Sequence, residues 1–233
     1  HRFGVRQRQE LLKKAGKMPH MLSMTATPIP RSLALTLYGE LDVSVISKKP
    51  NNRLPITTKI IPPSSRNELN QSIERQIDKG HQAFIVCPLI TDSEILNINS
   101  AETVYKKISE REFKHRRVGL LHGRQRADEK EKIMKDFAQK KIDILVSTTV
   151  VEVGVDVPNA TVMVIEGAER FGLAQIHQLR GRVGRGDEQG YCYLVPSEAK
   201  TSTYRLEALT RSSDGFMLAE LDLELRGPGA IYG

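Results

Sequence analysis

Gln178-Leu-Arg-Gly-Arg-Val-Gly-Arg185 packs three arginines and two glycines into eight residues, and Gly186 follows. Glycine lets a backbone approach a ligand closely, and planar guanidinium forks match phosphate oxygens in two-pronged contacts. An arginine that reaches a phosphoryl group during transfer neutralises charge developing in the transition state, worth roughly 10³–10⁵ in rate. A solvated basic turn has the same composition, so the octamer gains meaning only from its company. Leu121-His-Gly-Arg124 follows an apolar run, and a lone histidine there is more often structural. In Ser147-Thr-Thr-Val-Val-Glu-Val-Gly-Val-Asp-Val-Pro158, Glu152 and Asp156 interrupt an apolar stretch. Carboxylates placed so need partners, which a plain buried strand does not provide. Thr25-Ala-Thr-Pro-Ile-Pro30 reads first as a strand-to-helix turn with hydroxyl caps.

These stretches need elements to position them. Short apolar runs predict strands at 57–61, 83–87, 117–121, 142–147, 161–165 and 191–195. Helical segments at 67–79, 101–110, 126–139 and 173–179 alternate with them, and Gly80 terminates the first. Such alternation predicts an α/β fold with a parallel sheet flanked by helices. In open parallel sheets, ligands bind beyond the C-terminal ends of strands, so the functional stretches are expected on that edge. Two further helices, 202–210 and 216–224, form a hairpin that turns at Asp214-Gly215. Ahead of the sheet come a helix at 6–15, a strand at 20–24 and a helix at 31–37. The polar, turn-rich stretch 47–55 reads as a linker. Three units are therefore expected: 1–50, 51–197 and 198–233.

Composition narrows the partners. The 233 residues are 39% hydrophobic and 27% charged, with a net charge of +7, which suits a polyanion. Aromatics make up only 5% and there is no Trp, so backbone contacts are favoured over base-stacking platforms. No apolar run approaches the ~20 residues of a membrane span, and no signal peptide is expected. Cys87 and Cys192, both in expected strands, read as buried reduced thiols of a cytoplasmic protein.

Gln178-x-x-Gly181-Arg182-x-x-Arg185 resembles motif VI of superfamily 2 helicases and translocases. Thr25-Ala-Thr27 resembles motif III, Pro88-Leu-Ile90 the motif IV region, Leu121-His-Gly-Arg124 motif IVa and 147–158 motif V. Asp214-Gly-Phe, Asp222-Leu and Arg226-Gly-Pro-Gly229 resemble the TRG motif of RecG-like helicases, although Ala230 stands where that family carries an acid. The resemblance spans the whole chain in family order. It implies a second RecA-like domain, with a remnant of the first at the N-terminus. Arg182 and Arg185 would then be arginine fingers facing ATP held by the first domain, with Gln178 linking nucleotide to nucleic acid. Gly154 would sit near the fingers, and Asp156 would accept from the ribose hydroxyl. His122, Gly123, Arg124, Thr148 and Thr149 would contact the DNA backbone. Thr25 and Thr27 would relay nucleotide state to the DNA track, and Arg205 and Arg226 would couple closure to DNA movement.

The implied activity is that of an ATP-dependent DNA helicase that remodels branched DNA in recombination and repair. Such enzymes migrate Holliday junctions and regress stalled forks. ATP and Mg2+ are the implied cofactors, and branched or duplex DNA the partner, with no metal site expected in this chain. His1-Arg-Phe-Gly-Val-Arg-Gln-Arg8 resembles the residues after motif II, where the histidine closes an Asp-Glu-x-His box. No Walker A motif occurs: Gly167-x4-Gly172 is followed by Leu173-Ala174 where Lys and Ser/Thr are required. The chain is thus expected to be part of a larger motor, unable to hydrolyse ATP by itself. A strand at 20–24 without its sheet is expected to pack on a neighbouring copy or on the second domain. Two alternatives stay open: the related transcription-repair coupling translocase, and a non-catalytic nucleic-acid-binding module with a degenerate motor fold.

Overall fold

Successive side chains of a strand point to opposite faces, so an unbroken run such as Ala83-Phe-Ile-Val86 demands a layer on both sides of its sheet. The computed structural model describes residues 22, 24–25, 44, 46, 54–88, 94–148, 157–198, 201 and 203–226. Within them the chain runs β1 (Thr57–Ile60), α1 (Arg66–Asp78), β2 (Gln82–Val86), α2 (Glu94–Lys107), β3 (Val118–Leu121) and α3 (Ala127–Ala138). It continues through β4 (Ile144–Ser147), β5 (Ala160–Glu166), α4 (Leu173–Arg180), β6 (Tyr191–Val195), α5 (Tyr204–Arg211) and α6 (Gly215–Arg226). The strands form one sheet in the order β1-β6-β5-β2-β4-β3, with every neighbouring pair parallel.

The alternation along the strands sorts the core into two layers. Phe84, Val86, Met163, Ile165 and Leu194 face one way and pack with Phe137 of α3, Leu173, Ile176 and Leu179 of α4, and Leu206, Leu209 and Leu218 of the hairpin. Ala83, Ile85, Val162, Val164 and Tyr193 face the other, against Leu69, Ile73 and Ile77 of α1 and Ala101 of α2. The α1 trio recurs every fourth residue, one stripe of a 3.6-residue helix. Each such burial contributes roughly 1.5–3 kcal/mol. The α5–α6 hairpin is thus built into the sheet's own core.

Strand ends match the expected ones within two residues. The α2 start does not: the stretch before Ala101, expected to be a loop, is helical from Glu94. Asn and Ser are weaker helix formers than Ala by under roughly 1 kcal/mol each. Burial of Ala101, Ile108 and Phe113 further along outweighs that preference. Leu22 and Met24, the described residues of the expected 20–24 strand, are exposed and lie in no strand. The helices expected at 6–15 and 31–37 fall outside the described residues. Cys87 and Cys192 are both free and buried, as expected. Burial pushes the Cys192 thiol up to about 12.

Gly80 closes α1 with φ +85°. At the equivalent place after α3 the chain uses Lys140, φ +60°, in a Schellman turn: Lys141 N–H donates to Asp136 O and Lys140 N–H to Phe137 O. The left-handed region costs a side-chain-bearing residue about 1–2 kcal/mol, partly offset in glycine by its greater unfolded entropy. Lys140→Gly is therefore expected to stabilise the fold by about 0.5–1 kcal/mol. It should read out as a higher urea midpoint with an unchanged slope, and a lower midpoint would contradict it.

Candidate nucleotide- and DNA-facing sites

The octamer's three arginines separate into two environments. Arg180 ends α4 and is 4% exposed. Arg182 and Arg185, on the loop that follows, are half-buried. That loop is pinned by backbone bonds: Arg182 N–H to Leu179 O, Val183 N–H to Arg180 O, and Gly184 N–H to Ala160 O at 3.2 Å. Gly184 has φ +62°, and a Cβ there would lie 3.0 Å from Gly190 Cα, so only glycine fits both demands. Arg185 Nε donates to Gly181 O at 3.0 Å, tying its stem back to the start of the loop. Gln178 is half-buried on the last turn of α4.

The loop does not lie where the open-sheet rule places it. Helix α4 leads from the end of β5 back towards the start of β6, a path of about 12 Å at 1.5 Å per residue. It carries Gly181–Arg185 to the N-terminal ends of β5 and β6, where Gly184 meets the first residue of β5. Only part of the expected set occupies the C-terminal edge: His122, Gly123 and Arg124 after β3, and Thr148 after β4. The expectation of a single functional edge is corrected to two, joined by α4 and by the stretch 148–158. The described end of that stretch reaches the arginine loop, since a Cβ on Gly186 would touch Pro158 O at 3.4 Å.

On the C-terminal edge, a three-residue turn holds the basic loop. Gln125 accepts from His122 N–H at 3.0 Å and donates to Leu120 O at 3.0 Å. Lys130 Nζ donates to Gly123 O, and Arg126 N–H to Glu129 at the first turn of α3. Arg124 is exposed, while His122 Nδ1 and Ser147 Oγ are buried without hydrogen-bond partners. Leu121 and Ser147 are paired across β3 and β4, so these two orphan atoms mark neighbouring strand ends. Thr148 is 3% exposed and donates its N–H to Leu121 O at 3.2 Å. Thr27, Thr149, Gly154 and Asp156 lie outside the described residues. Thr25 is exposed.

The hairpin residues divide similarly. Arg205 turns inward: its guanidinium donates to Asp222 at 3.1 Å and to the carbonyls of Glu169 and Phe171 at 2.6 and 2.8 Å. Asp222 in turn accepts from Leu173 N–H at 3.0 Å, capping α4 from a helix 49 residues away. Arg226 is the last residue of α6. Asp222 and Arg180 stand within the motifs quoted from the sequence, but no role of their own is expected for either there. Spacing puts each on an otherwise apolar helical face, Arg180 with Leu173 and Ile176 and Asp222 with Leu218, but names no partner for either.

Among the described residues, no group of three or more His, Cys, Asp or Glu side chains could hold a metal ion, and no helix is long and apolar enough to cross a membrane. A cleft of about 440 Å³ opens at the starts of β2 to β4, lined by His81, Arg116, Arg117, Lys140 and Asp143. Its guanidiniums are paired internally, Arg117 with Asp143 and Arg116 with Glu74 and Asp78, which leaves little net field for an anion.

Residues 65–187 match the family model of the helicase conserved C-terminal domain, and the chain belongs to that family. Its sheet is that of a RecA-like helicase C-terminal domain. Over its whole length the chain is 54% identical to the ATP-dependent DNA helicase RecG of Synechocystis sp. and 51% identical to that of Thermotoga maritima, covering 28% and 30% of those proteins. A solved structure of RecG bound to a three-way DNA junction aligns with a TM-score of 0.78 at 48% identity, over 93% of this chain and 28% of that one. The chain thus spans about a third or less of these relatives.

Proposed function

We propose that this chain is the second motor lobe of an ATP-dependent DNA translocase that remodels branched DNA, including Holliday junctions and stalled forks. The observation that carries the reading is the division of one lobe into two basic edges bridged by α4. The loop with Arg182 and Arg185 faces the nucleotide, and the turn with His122, Gly123 and Arg124 faces the DNA backbone. Whole-length similarity to RecG supports the choice of branched DNA over other tracks. Residues 1–50 belong to the preceding lobe, 51–197 form the second, and 198–233 the coupling hairpin. Thr25 and Thr27 relay nucleotide state between lobes, Thr148 and Thr149 line the track, Arg205 couples the hairpin to the start of α4 through Asp222, and Arg226 ties the hairpin to the track.

ATP, with Mg2+, supplies the phosphoryl group whose transfer drives such motors. Half-buried guanidiniums on a glycine-rich loop fit a share of its phosphates. Arg182 and Arg185 offset charge there, Gln178 bridges towards the DNA edge, and Gly154 and Asp156 complete the nucleotide side. Phosphoryl transfer also requires a phosphate-loop lysine and an acid that holds the metal. Neither motif occurs in these 233 residues. The isolated chain is accordingly expected to hydrolyse no ATP above background, with or without duplex DNA, in a phosphate-release assay. The full-length gene product is expected to show DNA-stimulated turnover and to unwind a synthetic three-way junction. A full-length protein that binds such junctions but never turns over ATP would favour a non-catalytic binding module.

A further inference from the structure

Arg180 is the arginine of the octamer for which neither nucleotide nor DNA offers a part, and it is the most buried charged residue described. Its Nη1 donates to Leu209 O at 2.7 Å and to Ser212 O at 3.0 Å, and lies 3.5 Å from Thr58 Oγ1. Its Nη2 meets His177 Nδ1 at 3.1 Å. A buried charge is ordinarily matched by a carboxylate. Among the described residues none pairs with Arg180, and the carbonyls that close α5, at the negative end of that helix's dipole, stand in for one. Burial lowers its pKa from the usual arginine value. The planar fork holds separate partners on separate nitrogens, which a lysine ammonium on one flexible stem does not reproduce.

We propose that Arg180 is a positioning residue: by locking the end of α4 to the carbonyls that close α5, it sets where the Gly181–Arg185 loop presents Arg182 and Arg185. The inference rests on reading that loop as nucleotide-facing. Arg180 is the last side-chain anchor before the loop, and a displacement of about 1 Å at a reacting centre costs on the order of 10²-fold in rate.

The test compares the full-length gene product with its Arg180→Met and Arg180→Lys variants by amide hydrogen exchange and by ATP hydrolysis on duplex DNA. In Arg180→Met, exchange at residues 182–184 is expected to rise at least ~10-fold, with β2 and β5 unchanged. Turnover should fall about 10²-fold with KM for ATP within about threefold. Arg180→Lys, which keeps the charge, should restore folding where Arg180→Met fails to fold, yet recover no more than ~10-fold in turnover. Exchange rising equally everywhere, or turnover within threefold of the parent in a folded variant, overturns the proposal. A parent that hydrolyses no ATP refutes the nucleotide reading instead, and the exchange comparison still decides whether Arg180 sets the loop.

Discussion

Replacing Arg185 by alanine in the full-length gene product is expected to lower DNA-stimulated ATP turnover by roughly 10³-fold or more. Binding to duplex DNA should stay within about threefold of the parent. The separation follows from geometry. Arg185 stands on a loop at the starts of β5 and β6, whereas His122–Arg124 follows β3 on the opposite edge. The loop backbone is held by its own bonds, Arg182 N–H to Leu179 O, Val183 N–H to Arg180 O and Gly184 N–H to Ala160 O, so the variant is expected to keep its fold. What disappears is a guanidinium whose Nε is already fixed on Gly181 O, a preorganised charge whose worth is greatest as the transition state forms. Arg185→Lys should recover little, because an ammonium does not reproduce a fork anchored at one nitrogen. Steady-state kinetics with fluorescence anisotropy on the same samples would decide it. Unchanged turnover removes the finger assignment, and equal losses in turnover and DNA binding would place Arg185 on the track.

Most of the scaffold was legible because its signals are local. Runs such as Ala83-Phe-Ile-Val and Val162-Met-Val-Ile are short and apolar at successive positions, as suits a strand covered on both faces. Gly80 ends α1 by backbone preference, and Asp214 starts α6 by taking the Phe216 and Met217 N–H groups on its side chain. The α2 start was not legible, since weak helix formers there are outweighed by burial further along the chain. The site was half legible for a different reason. Residue types and spacing single out Arg182, Arg185 and His122, but no local pattern states which sheet edge a residue occupies once a helix has intervened. Eight residues of α4 carry the arginine loop across the sheet. Nor does spacing alone distinguish Arg180, two positions before Arg182, as the arginine that turns inward. That depends on carbonyls at Leu209 and Ser212, about thirty residues downstream.

The largest stability effect is expected at Asp222. Its carboxylate takes the Leu173 N–H that α4 would otherwise leave unsatisfied, and it meets Arg205 at 3.1 Å with both side chains under one-fifth exposed. Loss of a cap typically costs about 0.5–2 kcal/mol. Removing one member of a largely buried ion pair costs about 3–5 kcal/mol where the other is left uncompensated. Arg205 would retain the Glu169 and Phe171 carbonyls, so Asp222→Ala is expected to destabilise the chain by about 2–3 kcal/mol. Asp222→Asn keeps an acceptor for Leu173 N–H while removing the charge, and should cost about half as much. The Asp222→Ala and Arg205→Ala pair should couple by at least ~1 kcal/mol in a double-mutant cycle by urea unfolding. Hydrogen exchange would localise the damage, with faster exchange at the start of α4 preceding any change in β2. A variant within about 0.5 kcal/mol of the parent would mean that water caps α4 as well as Asp222 does, and that the hairpin is held by Leu206, Leu209 and Leu218 alone.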